Sequence, residues 1–219
     1  MRDVASPSPV ADVEGEAPRL NRRQAAKVRT RQKVLDAARL LFAERGYEPA
    51  TIRDIAKGAG MSTGAVFANF QDKAELFEAV LAADMVKLAD TLKAAAAAET
   101  TVRGRILAAL TAGYHASLEQ LPLVQAVIAR SWFQPVASEM RTRAAIQPLL
   151  SVVTDALQAG VGDRELRQDA DVRLLSGMIY EAFLSNYRRA AYDGWTIQQL
   201  TDQIGKQVDV ILAGALSRQ

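Results

Sequence analysis

Apolar side chains recur every three or four residues along most of this chain, which is the spacing of helices with one buried face. No segment alternates in the way of a half-buried strand. The sequence therefore predicts an all-α fold. Counting each capping residue, the predicted helices cover 24–45, 51–58, 62–70, 72–98, 101–118, 122–133, 137–159, 170–190 and 196–216.

Turn-forming residues separate these helices. Gly46 provides a left-handed stop for the first helix, and Gly60 suits the positive φ of a sharp turn between two helices. Thr51, Ser62 and Asp72 are predicted N-caps because their side-chain oxygens can accept from free backbone amides. The later breaks are predicted at Pro122, Gln134-Pro135, Gly160-Val161-Gly162 and Asp193-Gly194.

The segment from 51 to 70 is the most informative part of the pattern. Two short helices, each begun by a hydroxyl residue, are joined by a tight turn that contains Gly60. This is the form of a helix-turn-helix, whose second helix lies in the major groove of DNA.

Charge is unevenly distributed, although the net charge is only +2. Residues 17–75 contain 12 basic and 6 acidic residues, whereas residues 76–219 contain 14 and 15. Seven basic residues and no acid lie between Arg19 and Lys33. A positive field confined to one end favours phosphate binding. We therefore divide the chain into a disordered arm with a basic end (1–23), a helix-turn-helix domain (24–71) and a larger helical domain (72–219).

Composition restricts the other functional classes. The chain has no cysteine and a single histidine, His115, so disulfides and thiolate metal sites are excluded. No phosphate loop and no carboxylate cluster at ligand spacing is present, so we predict no catalytic site, metal or cofactor. The N-terminus does not have the apolar core of a signal peptide, and no apolar run approaches the ~20 residues of a membrane span. A cytoplasmic protein without a membrane partner is the expectation.

About fifty residues resemble the N-terminal domain of the TetR family of bacterial transcriptional regulators, with matching spacing throughout. The residues that carry the resemblance are Val34-Leu35-Asp36-Ala37-Ala38, Leu41-Phe42, Arg45-Gly46-Tyr47, Thr51-Ile52-Arg53-Asp54-Ile55-Ala56, Ala59-Gly60-Met61-Ser62, Gly64, Val66-Phe67, Phe70, Asp72-Lys73 and Leu76-Phe77. The resemblance implies a regulator that binds a double-stranded DNA operator with palindromic half-sites as a homodimer.

The predicted DNA contacts lie at the two helix starts and along the exposed side of the second helix: Thr51, Arg53, Ser62, Thr63, Gly64, Ala65, Phe67, Asn69 and Lys73. Thr63, Gly64 and Ala65 are expected to face base edges, and Thr51 and Lys73 to face phosphates. Two positions depart from the family pattern. Position 67 is usually tyrosine, whose hydroxyl bonds to a phosphate, and Phe67 has no hydroxyl to make that bond. Position 68 is often aromatic or histidine, whereas this chain has the small Ala68.

The larger domain is expected to dimerise and to bind a ligand. Two apolar stripes near the C-terminus suit a four-helix interface with a second copy, and they can equally finish the core. Their members are Val172, Leu175, Ile179, Ile197, Leu200, Ile204, Val208 and Ile211. The candidate lining for a small apolar or aromatic ligand is Tyr114, His115, Trp132, Phe133, Met178 and Phe183, of which Trp132-Phe133 is the first choice for a pocket wall.

The predicted function is that of a repressor released from its operator when an inducer binds, with the helix 72–98 as the lever between the domains. One alternative is an architectural or activating DNA-binding protein without a ligand. An enzyme that uses the helical domain is a third hypothesis, which a single histidine and the lack of cysteine support poorly.

Overall fold

The computed structural model describes residues 22–217, and over that range the chain forms nine helices and no strand. The all-α fold class is confirmed. The helices are α1 (Arg22–Arg45), α2 (Ile52–Gly58), α3 (Thr63–Phe67), α4 (Lys73–Ala97), α5 (Val102–Leu118), α6 (Leu121–Ser131), α7 (Val136–Gly162), α8 (Val172–Asp193) and α9 (Ile197–Ala213). Most of the predicted arm, residues 1–21, lies outside the described range.

The predicted caps of the helix-turn-helix are confirmed. Thr51 Oγ1 accepts from the amide of Asp54 at 3.1 Å, and Ser62 Oγ accepts from the amide of Ala65 at 3.2 Å. Gly46 and Gly60 have φ of +80° and +68°, which is the left-handed region that favours glycine. These local signals therefore determine where α2 and α3 begin and where α1 ends.

Several predicted helix ends are wrong, and those of α8 and α9, predicted at 190 and 216, lie at Asp193 and Ala213. Helix α3 ends at Phe67 rather than at Phe70. Helix α7 continues through the predicted Gly160-Val161-Gly162 turn and ends at Gly162. The reason lies in packing, because a Cβ at Gly160 would stand only 2.8 Å from the Val102 side chain. Gly160 thus allows α7 to approach the start of α5 closely, and the chain turns just after it, at Arg164, whose φ is +63°.

The N-terminal core lies between the first three helices and the start of α4. Val34, Phe42, Ile55, Val66 and Phe77 are all 2% exposed or less. Helix α6 contributes to the same core, since its Leu123 is buried there and Ala126 and Val127 pack against it. The N-terminal core therefore includes residues on both sides of the predicted domain boundary between 71 and 72.

The C-terminal core joins α5, α7, α8 and α9 around buried residues that include Ile106, Tyr114, Leu157, Ile179 and Ile204. Among residues 22–217, α7 is the one helix long and apolar enough to cross a membrane by length and composition, whereas the sequence analysis expected no apolar run of that kind. The core helix of a soluble protein passes the same test, and four hydrophobic residues of α7 are buried against the rest of the fold: Val152, Val153, Ala156 and Leu157.

Candidate nucleic-acid interface

The α2–turn–α3 unit separates a buried side from an exposed side. Ile55, Ala56 and Val66 are at most 2% exposed and belong to the N-terminal core. Most of the predicted DNA-contacting residues are exposed: Thr51, Arg53, Ser62, Thr63, Gly64 and Phe67. The amphipathic pattern of this segment thus places the apolar residues in the core and leaves most of the candidate contacts accessible.

Gly64 has no role that the fold explains. A Cβ at this position would meet nothing closer than Ser62 Oγ, at 3.8 Å, and its φ is not in the left-handed region. Glycine within a helix costs about 0.5–1 kcal/mol relative to alanine. The absence of a side chain therefore leaves space on the outside of α3, where another molecule can approach the backbone.

Phe67 is 52% exposed, so it is not a core residue. Its neighbour Ala68 is exposed as well. A half-exposed aromatic ring presents apolar surface without a hydrogen-bonding group. This part of α3 is consequently less polar than a tyrosine at position 67 would make it.

Asn69 is less accessible than the sequence indicates. The side chain is half-buried, its Nδ2 donates to the carbonyl of Ala65 at 2.9 Å, and its buried Oδ1 has no hydrogen-bond partner. Asn69 therefore closes the end of α3 in this structure. Its predicted contact with a base would require the side chain to turn away from Ala65.

Lys73 is engaged within the protein. Its Nζ donates to the carbonyls of Tyr47 and Glu48 at 2.9 Å and 3.1 Å and lies 4.2 Å from the centre of the Tyr47 ring. The ammonium therefore fixes the connection between α1 and α2. One of its three donors remains for a phosphate, so the predicted contact stays a prediction.

An aromatic cluster links this unit to the C-terminal domain. The Tyr47 ring lies 5.0 Å from Phe77 and 5.9 Å from Phe42. Arg130 of α6 stacks on Tyr47 at 4.1 Å from the ring centre. Burial raises the pKa of Tyr47, partly opposed by the charge of Arg130. Sequence reasoning missed Arg130 and Leu123, because no local pattern shows that α6 packs against α1.

The basic face of α1 is largely accessible. Lys27, Arg29 and Lys33 are exposed, whereas Arg31 stacks over the Phe70 ring at 4.2 Å. Arg19 lies outside the described residues. Within the described residues, the exposed cations at this end of the chain therefore come from α1.

The predicted dimer stripe is wrong for most of its residues. Leu200, Ile204 and Val208 are 0% exposed, and Leu175 and Ile179 are 8% and 0% exposed, all within the C-terminal core of one chain. Val172, Ile197 and Ile211 are half-buried. The three-four periodicity marks the side of α8 and α9 that faces the same chain, so residues buried there are not available to a second copy.

A different apolar surface remains exposed on these two helices. Leu174 and Met178 of α8 are 59% and 46% exposed and border a shallow groove with Ile211 of α9. Val210 of α9 is 77% exposed. We call Leu174, Met178 and Val210 the outer face of α8 and α9.

The six predicted ligand-lining residues do not surround one pocket. Tyr114 and Phe183 are buried and stack on each other with ring centres 4.6 Å apart. Trp132 and Phe133 are 80% and 92% exposed, so the predicted pocket wall is wrong. The two remaining residues are also at the surface and border different grooves: His115 beside α9 and Met178 on the outer face.

A cleft of about 250 Å³ lies instead between α4, α5 and α6. Its walls are mainly apolar, with Asp84 of α4 as the acidic side chain among them. The residues that line it are Leu81, Asp84, Met85, Lys87, Leu88, Thr91, Ala116, Ser117, Gln120, Leu123, Val124 and Val127. Leu123 is also a member of the N-terminal core, so this cleft adjoins the helix-turn-helix domain. Within residues 22–217 no group of three or more side chains could hold a metal ion.

Comparison with known proteins agrees with this geometry. Residues 34–80 match the profile of the bacterial regulatory proteins of the tetR family. The HTH-type transcriptional repressor AcnR of Corynebacterium efficiens is 45% identical over 65 residues, which is 30% of this chain and 35% of that protein. The chain thus matches about a third of the length of this relative.

Two longer matches extend over the C-terminal domain. The HTH-type transcriptional repressor KstR2 of Mycobacterium tuberculosis is 28% identical over 202 residues, covering 90% of this chain and 98% of that protein. The structure of Bacillus subtilis FadR in complex with stearoyl-CoA matches with a TM-score of 0.72 at 17% identity, over 84% of this chain and 98% of that one. At this identity the likeness to FadR shows a common fold.

Proposed function

We propose that this chain, whose N-terminal domain is that of the tetR family of bacterial regulatory proteins, is a cytoplasmic dimeric repressor that a small molecule releases from its DNA operator. The observation that carries this proposal is the exposed start of α3 within the matched residues. Thr63 and Gly64 are exposed there, while Val66 anchors the helix in the core. In a helix-turn-helix these first residues of the second helix contact base edges.

The three residues at the start of α3 have complementary roles in this proposal. The Thr63 hydroxyl can donate to or accept from a base, and the Ala65 methyl can contact a thymine methyl. Gly64 lets the DNA approach the backbone, which is a use for a glycine that the fold itself does not require. Arg53 and Lys73 would contact phosphates, and phosphate contacts position the protein without reading sequence.

Dimerisation supplies the second recognition helix. An operator with palindromic half-sites needs two copies of α3 about one DNA turn apart, ~34–36 Å. We assign the contact between copies to the outer face of α8 and α9, because Leu174, Met178 and Val210 remain exposed in one chain. The half-buried Val172, Ile197 and Ile211 lie at the edge of the core and can extend this contact.

Release by a ligand requires two arrangements of the dimer with different affinities for DNA. A ligand that favours the arrangement with the wrong half-site spacing lowers the operator affinity by the same coupling free energy. Helix α4 begins in the N-terminal core and passes along the cleft, so in this proposal it acts as the lever between the domains. Helix α6 also joins both regions, through Leu123 and through Arg130 on Tyr47. We therefore propose that α4 and α6 move together.

Selection of bound sequences from a random DNA pool tests the proposal. Purified full-length protein should enrich an inverted repeat whose half-sites are about one helical turn apart. A variant with Arg53→Ala, in which a phosphate contact is lost, should enrich the same sequence with lower affinity and a shallower dependence on salt. Failure of the wild-type protein to enrich any sequence would contradict the proposal.

Repression and activation are separated by a second measurement. Transcription from a promoter that carries the selected sequence between its −10 element and its start site should fall when the protein is added. A rise in transcription would favour the activating alternative, and tight binding to DNA of any sequence would favour the architectural one.

A further inference from the structure

The cleft between α4, α5 and α6 contains an incompletely satisfied carboxylate. Asp84 Oδ1 accepts from Nε of Arg39 at 2.6 Å, and Oδ2 is buried without a hydrogen-bond partner. The Arg39 side chain also donates from Nη1 to Asp36 at 3.3 Å, so its donors are divided between two acids. An arginine that faced Asp84 in a bidentate manner would satisfy both oxygens.

A buried carboxylate oxygen without a donor is unfavourable, and proteins usually satisfy such atoms with water, an ion or a ligand. Asp84 is also a wall of the cleft, where most of the neighbouring residues are apolar, including Leu81, Met85, Leu88 and Val124. The cleft thus combines apolar walls with one acceptor that has unused capacity. That combination fits an apolar body that carries a donor group.

Direct contact with Asp84 Oδ2, which has no partner, favours a cationic donor over an anionic one, and this contact has to outweigh the positive charges of Arg39 and Lys87. Three charged groups face or adjoin this part of the cleft: Asp84 in its wall, Arg39 bonded to Asp84, and Lys87 on the exposed side of α4. Lys87 keeps its ammonium in water, where its charge is screened. The carboxylate is less exposed, with 19% of its side-chain surface accessible. An anionic headgroup placed against Asp84 would meet like charge in a partly dry environment.

Size sets a further limit. A volume of about 250 Å³ lies just below the range of typical small-molecule sites, which is ~300–1,000 Å³. It accommodates a short alkyl or single-ring body rather than a long acyl chain with a nucleotide.

We propose that this cleft binds a small amphipathic amine whose ammonium donates to Asp84 Oδ2, and that binding weakens the Arg39–Asp84 ion pair between α1 and α4. The proposal rests on the proposed function, because it names the chemical class of the inducer. A second cation at Asp84 repels the Arg39 guanidinium and competes for the same carboxylate. Since Arg39 lies on a helix of the DNA-binding domain, the ligand reaches that domain through one ion pair.

Calorimetric titration with three probes of equal chain length tests the inference: n-octylamine, octanoate and 1-octanol. At pH 7 the amine is cationic and octanoate is anionic. We expect the full-length protein to bind octylamine about tenfold more tightly than octanol, and octanoate more weakly than either, because a hydrogen bond to a charged group is worth about a factor of ten or more. Equal or tighter binding of octanoate, or no binding of octylamine, would overturn the proposal.

Two variants and one control locate the site. Asp84→Asn should lower the octylamine affinity about tenfold, to that of octanol, whereas Asp90→Asn on the exposed side of the same helix should not change it. If Asp84→Asn does not fold, Ala116→Trp provides the second test, because it fills the cleft and leaves Asp84 and Arg39 intact. Retained octylamine binding in Ala116→Trp would place the site elsewhere and overturn the proposal.

Operator binding separates this inference from the proposed function. Saturating octylamine should weaken operator binding by the wild-type protein several-fold and should have no effect on Asp84→Asn. If the protein binds the selected operator but octylamine shows no preference for the cleft, the inference fails and the repressor stands. If octylamine binds through Asp84 but no operator is found, the cleft stands and the proposed function fails.

Discussion

The helix-turn-helix and the C-terminal helix pair contain similar apolar stripes. In the first, the stripe helps to identify the functional residues, whereas in the second it does not. In α2 and α3 the stripe marks the core, and the residues outside it, such as Thr63 and Gly64, are the candidate DNA contacts. In α8 and α9 the stripe also marks the core, although the sequence pattern equally suited a dimer interface. Ile204 is fully buried within one chain, while Val210 points outward. A three-four stripe shows that a helix face is buried, and it does not show which chain buries it.

Two substitutions in α9 should have the most different effects on stability, and they test which face of that helix is buried within one chain. Ile204→Ala should lower the free energy of unfolding by about 2–5 kcal/mol, because it leaves a cavity in a closed core. Val210→Ala, at an exposed position, should change it by less than about 0.5 kcal/mol if the monomer is measured. Denaturant titration at low protein concentration gives both values. Similar losses for the two variants would mean that the assignment of inner and outer faces is wrong.

The outer face itself is tested by Met178→Glu. A carboxylate in the centre of an apolar contact between copies should cost about 3 kcal/mol, which is more than 100-fold in the dissociation constant of the dimer. Light scattering after size exclusion should then show a monomer with unchanged helix content. Val86→Glu on α4, at a similarly exposed apolar position, is the matched control and should leave the dimer intact. A dimeric Met178→Glu protein would place the interface on another surface.

In the helix-turn-helix, Ser62 allows stability to be separated from recognition. Ser62→Ala should destabilise the protein by about 1 kcal/mol, since the cap on the Ala65 amide is lost. Ser62→Asp should keep the cap and the thermal midpoint, and its negative charge should weaken operator binding through repulsion from phosphates. Fluorescence anisotropy with labelled operator checks the second effect. Unchanged DNA affinity in Ser62→Asp would indicate that the start of α3 is not close to a phosphate.

The smallest expected effect concerns Phe67, at a position where the TetR pattern that this segment resembles usually has tyrosine. Phe67→Tyr adds one hydroxyl at an exposed position, and a new bond to a phosphate should raise operator affinity about fivefold, or ~1 kcal/mol. Phe67→Leu removes the ring and serves as the comparison, with no gain expected. A gain in thermal stability without a gain in affinity would show that the hydroxyl bonds within the protein instead.

Much of the fold follows from local chemistry, and less of the site does. The caps at Thr51 and Ser62 and the turns at Gly46 and Gly60 are short-range signals, so the sequence is sufficient for the end of α1 and for the starts of α2 and α3, although not for the end of α3. The end of α7 was mispredicted, since Gly160 reflects close packing on Val102 rather than a turn. Local patterns contain no information about such distant contacts.

The ligand site shows the same limit. Trp132 and Phe133 were chosen because large aromatics often line pockets, yet both are on the surface. The cleft beside Asp84 depends on how α4, α5 and α6 pack, and its ion pair joins residues 45 positions apart. A lone aspartate on an amphipathic helix has no sequence signal that distinguishes it from a solvated acid.

The most direct test of the central claim is the effect of Gly64→Leu on operator binding and on stability. We expect a thermal midpoint close to that of the wild-type protein, because Ser62 Oγ, at 3.8 Å, is the nearest atom of another described residue to the added Cβ, apart from the chain neighbours and the backbone of α3 itself. We also expect operator affinity to fall at least about tenfold, because the side chain keeps DNA from the backbone of α3. A folded Gly64→Leu protein that binds the selected operator as tightly as the wild type would contradict the claim that the start of α3 reads DNA.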